Sequence, residues 1–96
     1  MATFIILESF TDQGIKTVKD SPERANNFRT MAEKAGVTVK SVYWTQGRYD
    51  LVMTVEGADD AVMSTLLQIG SLGNVRTETL RGFSFDEFTK VLGKMP

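Results

Sequence analysis

Two β-rich runs, Val37 to Trp44 and Tyr49 to Glu56, stand in the middle of the chain with only a short, glycine-containing connection between them. So brief a connection permits an antiparallel hairpin and no crossover. A helix signal lies on either side of this hairpin, and a further strand beyond each helix. That arrangement narrows the available folds more than any other feature. Upstream, Thr3 to Phe10 is rich in β-formers and ends in the turn cluster Thr11-Asp12-Gln13-Gly14. Asp20-Ser21-Pro22-Glu23 then starts a helix: Ser21 suits the cap, Pro22 the first helical position, and Glu23 the positive end of the dipole. Ala25, Phe28, Ala32 and Ala35 follow at spacings of three and four, and Gly36 closes the helix. Downstream, Gly57-Ala58-Asp59 leads into a helix with Val62, Leu66 and Ile69 on one side, ending at Gly70 to Gly73. Val75 to Phe83 reads as a fourth strand. Ser84-Phe85-Asp86-Glu87 has the form of a capping box and opens a last helix, with Phe85, Phe88 and Leu92 on one stripe.

The order βαββαβ plus a C-terminal helix, with right-handed crossovers, predicts one ferredoxin-like α+β domain over residues 1–96. It has a four-stranded antiparallel sheet of order 4-1-3-2, with helices on one face. A chain this short buries only about 60–65% of its unfolded surface, so stability is modest unless subunits pool their apolar surfaces.

The hairpin register sets which side chains face the helices. A three-residue connection, Thr45-Gln46-Gly47 with Gly47 left-handed, pairs Tyr43 with Tyr49 and Ser41 with Leu51. This puts Val37, Val39, Tyr43, Tyr49, Leu51, Met53 and Val55 in the core, together with Ile5 and Leu7 of the first strand. The open face then carries Phe4, Ile6, Glu8, Phe10, Val42, Trp44 and Val52, with Arg76, Glu78 and Leu80 from the fourth strand. A face so apolar needs a cover, and a second copy is the simplest one. The expected partner is therefore the chain itself, as a homodimer or higher assembly.

The chemistry is bounded by what the sequence lacks. It has no cysteine and no histidine, which removes thiolate nucleophiles, Ser-His and Cys-His triads, and the usual zinc and haem ligands. No oxygen-ligand loop suggests a metal, and no cofactor is expected. The 11 basic and 12 acidic residues interleave to a net charge of −1, leaving no basic stripe for nucleic acid. The one early apolar run, Phe4-Ile5-Ile6-Leu7, is too short for a signal or a membrane span. The expectation is a cytoplasmic protein without nucleic-acid or membrane partners.

In the expected topology Glu8, Trp44, Arg48, Asp50 and Arg76 gather at one end of the open face. Two carboxylates, two guanidinium groups and an indole around an enclosed space suit a small polar or carboxylated ligand. The plainer reading makes the same residues structural ion pairs at a dimer rim, with Asp50 holding the hairpin through backbone hydrogen bonds. A third makes the protein a cofactor-free isomerase or monooxygenase on an acidic small molecule, with Asp50 or Glu8 as base. The balance leans away from catalysis, toward ligand binding or an assembly module.

At Gly47-Arg48-Tyr49-Asp50, with the flanking Val42-Tyr43-Trp44 and Leu51-Val52, the chain resembles the GYD-domain family. The likeness extends through Phe10-Thr11-Asp12-Gln13-Gly14-Ile15, Lys19-Asp20-Ser21-Pro22, Met31-Ala32-Glu33 and Gly73-Asn74-Val75-Arg76-Thr77. The resemblance implies an architecture similar to the dimeric α+β barrel proteins and directs interest to Gly47, Tyr49 and Asp50. Functions within that architecture are diverse, so it does not choose one.

Overall fold

The computed structural model describes residues 1–96. Strand β1 (Ala2–Phe10) leads through a short helix α1 (Asp12–Lys16) and one 3-10 turn (Val18–Asp20) into helix α2 (Ser21–Lys34). Strands β2 (Thr38–Trp44) and β3 (Leu51–Gly57) follow, then helix α3 (Asp59–Ser71), strand β4 (Val75–Gly82) and helix α4 (Phe85–Leu92). The sheet order is β2-β3-β1-β4, every neighbouring pair antiparallel. Taken from the opposite edge, this is the 4-1-3-2 order the sequence predicts. The turn cluster after β1 is helical: the Thr11 side chain accepts a hydrogen bond from the Gly14 N–H and caps α1. Helix α2 begins at Ser21 itself, so the residue expected as the cap is the first helical one and Asp20 stands at the cap.

Helices α2 and α3 lie on one face of the sheet. The core there joins Ile6, Leu51, Met53 and Val55 of the central strands to Phe28, Ala32, Val37 and Val62. Strand β3 alternates strictly, with Leu51, Met53, Val55 and Gly57 buried and the residues between them half-buried. Each large aliphatic side chain so buried is worth about 1.5–3 kcal/mol over its exposed state.

Two face assignments made from sequence are corrected. In β1, Phe4 pairs with Val55, Ile6 with Met53 and Glu8 with Leu51. Phe4, Ile6 and Glu8 therefore point to the helices, and Ile5 and Leu7 to the open face. In β2, pairing starts at Trp44 with Leu51, so the connection is the six-residue Thr45–Asp50 rather than a three-residue loop. A β-bulge between Val39 and Ser41 then reverses the alternation. The extra residue flips the faces on its loop side. Val39 faces the helices as expected, but so do Val42 and Trp44, while Ser41 and Tyr43 face outward. Tyr49 lies in the connection and not in the core. Gly47 has the expected left-handed backbone, φ +104°.

Candidate functional site

The five residues that the sequence groups at one end of the open face are divided between the two faces and the β2–β3 connection. Glu8 and Trp44 lie on the helix side. Arg76, opposite Ser9 on β4, lies on the open face. Arg48 sits in the connection, its guanidinium 5.6 Å from the centroid of the Tyr49 ring. The Tyr49 hydroxyl donates to Glu78 Oε2 at 2.9 Å, and this bond raises the phenol above its usual range. Neither Glu8 nor Asp50 forms an ion pair with Arg48 or Arg76; the one salt bridge joins Lys40 to Glu56 at 3.4 Å.

Asp50 holds three segments together. Its Oδ2 accepts from the Phe10 N–H at 2.8 Å. Its own N–H donates to the Glu8 carbonyl at 2.8 Å, and its carbonyl accepts from the Thr45 N–H at 2.9 Å. The Thr45 hydroxyl closes the base of the connection by donating to the Tyr49 carbonyl at 2.6 Å. The Gly-x-Tyr-Asp segment thus ties the hairpin to the end of β1 and, through Tyr49, to β4.

The lined space is on the other side of the sheet, and it opens to solvent beside the exposed Asn27 and Leu72. Between the helix-facing strands and α2 and α3 lies a cavity of about 130 Å³. Val42, Leu51, Met53 and Val75 form its floor, and Phe28, Met31, Ile69 and Leu72 its walls. Ser21, Arg24, Asn27 and Asn74 supply its other polar groups. Glu8 is the carboxyl in this lining. It is 3% exposed, and its Oε1 is buried with no hydrogen-bond partner. Burial pushes the carboxyl from 4.5 up to about 7, against the opposing pull of the Arg24 charge. Arg24 is committed elsewhere: it donates to the Thr17 carbonyl and hydroxyl and to the Gly14 carbonyl. Beside this cavity the Trp44 indole N–H donates to Ser21 Oγ at 3.0 Å, so the hydroxyl expected as a helix cap accepts from the indole.

Sequence reasoning missed Ser21, Arg24, Asn27 and Asn74 as neighbours of Glu8, because they converge only once α2 and the α3–β4 corner dock on the sheet. The usable signal was Glu8 itself, which continues the two-residue period of Phe4 and Ile6.

Two apolar surfaces have no cover within the chain. The open sheet face carries half-buried Ile5, Leu7 and Val52, with Tyr43 and Leu80 more exposed. Helix α4 forms the expected capping box, Ser84 with Glu87. It packs extensively on no other element. Its Phe85 is 87% and Phe88 55% exposed. No helix is long and apolar enough to cross a membrane.

The fold is that of an antiparallel α+β sandwich of ferredoxin-like type, and crystal structures with it are known. A hypothetical protein from Pyrococcus horikoshii superposes with a TM-score of 0.62 at 22% identity, covering 88% of this chain and 92% of that one. A protein from Thermus thermophilus superposes with a TM-score of 0.55 at 28% identity, covering 88% and 95%. The GYD domain model matches residues 4–92, and the chain belongs to that family. A curated relative from Thermus thermophilus, named the glutamine synthetase and cystathionine beta-lyase binding protein, is 39% identical over 82 residues, 83% of this chain and 86% of that protein.

Proposed function

We propose that the protein is a non-catalytic assembly module that pairs with a second copy through its open sheet face and binds a larger enzyme through α4. The observation that carries this reading is a sheet covered by helices on one side only, next to an amphipathic helix left without a partner. Ile5, Leu7, Val52 and Leu80 give the sheet face the flat apolar surface that suits face-to-face packing of two sheets, as in a dimeric α+β barrel. Helix α4 suits a different partner. Phe85, Phe88 and Leu92 form a single stripe of the kind that lies in a groove of another protein, and buried aromatic anchors dominate such interfaces. The name of the Thermus relative supports an enzyme as that partner.

The test is interferometry with purified glutamine synthetase and cystathionine beta-lyase of the same organism. The wild-type protein should bind at least one of them. Phe88→Asp should abolish that binding while leaving the subunit mass in solution unchanged. Failure of the wild type to bind either enzyme, or undiminished binding by Phe88→Asp, would remove the enzyme-binding half of the proposal.

A further inference from the structure

We infer that the cavity behind Glu8 is a binding site for a compact, uncharged, mostly apolar molecule that bears one hydroxyl or N–H group. Three independent features define that class. The volume is about 130 Å³. That approaches an engineered cavity of about 150 Å³ that holds benzene, so the occupant is about one six-membered ring in size. Nine of the fourteen lining residues are hydrophobic, which favours an apolar body. The third feature is the unpartnered Glu8 Oε1. A buried acceptor without a donor is unfavourable, and a ligand hydroxyl or N–H placed there satisfies it.

The charge of the occupant follows from its surroundings. A cation would lose hydration against a largely apolar lining and would meet the Arg24 guanidinium, the one basic group there. An anion would lose its hydration there as well, and the Arg24 guanidinium that could offset this is engaged by Thr17 and Gly14. Arg24 is held by the Thr17 and Gly14 carbonyls and makes no hydrogen bond to Glu8. The Trp44 indole N–H is spent on Ser21. The main-chain N–H of Asp50 goes to the Glu8 carbonyl and not to its carboxyl. The protein thus provides other partners for the neighbouring donors and leaves Glu8 Oε1, buried in the cavity wall, without one. This site is separate from the open face and from α4, so it stands or falls independently of the assembly proposal.

Phenol, toluene and benzoate are the probes, read by amide and methyl shifts in the wild-type protein, Glu8→Leu and Val42→Phe. Phenol should saturate shifts at Leu51, Met53, Ile69 and Val75. It should bind at least about tenfold tighter than toluene, the equivalent of one hydrogen bond of about 1.4 kcal/mol. Benzoate should not compete. Glu8→Leu should reduce the phenol preference to none, and Val42→Phe, whose larger ring fills the cavity, should abolish binding of both neutral probes. The inference is overturned if phenol produces no saturable shift in the folded protein. It is also overturned if toluene binds the wild type as well as phenol does, or if benzoate binds tighter than either. Should Glu8→Leu not fold, the phenol-to-toluene ratio and the Val42→Phe result still decide.

Discussion

Replacing Glu8 by Gln keeps the size of the side chain and removes its titration, so its effect on stability can be worked from the structure. The unfolded chain holds the Glu8 proton with a pKa near 4.5, the folded protein with one near 7. Burial is the cause, and Arg24 of α2 is the charged group acting against it; the lining residues of α3, β2 and β3 carry no charge. Because the folded state binds more protons between these values, stability falls as pH rises through the window from 4.5 to 7 and is level above it. At about 1.4 kcal/mol per pKa unit, the full difference is about 3 kcal/mol. Glutamine carries no such dependence, although its own unpaired amide costs a constant amount. The assay is urea unfolding of both proteins at fixed concentration from about pH 4 to about pH 8, a range that brackets the window, followed by Trp44 fluorescence. The stability of Glu8→Gln relative to wild type should climb by about 3 kcal/mol across the window, with groups common to both cancelling. A difference that stays flat with pH would mean that Glu8 is solvated or paired, and would refute the burial argument.

Substitutions at three further positions test the frame around the site. A Cβ at Gly14 would come within 1.9 Å of the Asn74 carbonyl oxygen, so Gly14→Ala must push α1 off the α3–β4 corner; the expected loss is about 1–3 kcal/mol, read by urea midpoint. Gly47→Ala meets only the left-handed backbone penalty, since nothing lies within 4 Å of the added carbon; about 1 kcal/mol should be lost, and no loss would mean the connection rearranges freely. Asp50→Ala strands the Phe10 N–H and should cost about 1–3 kcal/mol in thermal unfolding, whereas Asp50→Asn keeps an acceptor and should cost less.

The main strands and helices, the α4 capping box and the positive φ of Gly47 are legible in the sequence because each rests on a local signal (period, cap or turn chemistry), and the sheet order follows from the right-handed crossover rule; the short α1 is not. The faces of β1 and of half of β2 are not. Phe4-Ile5-Ile6-Leu7 is apolar on both sides, so its alternation carries no parity, and Glu8 reads as outward on charge alone. In β2 the bulge beside Val39 inverts Val42 and Trp44, and no residue in that stretch marks it: Lys40, the inserted position, is an ordinary strand residue. The candidate site suffers the same errors. Glu8, Trp44 and Asp50 stand out in the sequence, but the two arginines expected beside them lie elsewhere, and the true neighbours of Glu8 come from α2 and the α3–β4 corner, whose docking no local pattern encodes. Val52 falls on the open face as the sequence predicts, because β3 alternates without interruption.

Assembly through that face is the centre of the account, and subunit mass in solution tests it most directly. Light scattering at micromolar concentration should return at least twice the 10.7 kDa of the chain. Val52→Asp should lower the mass to that of one chain or unfold the protein, because a charge stranded in an apolar interface costs several kcal/mol. A wild-type protein that is a stable monomer in that measurement would contradict the account.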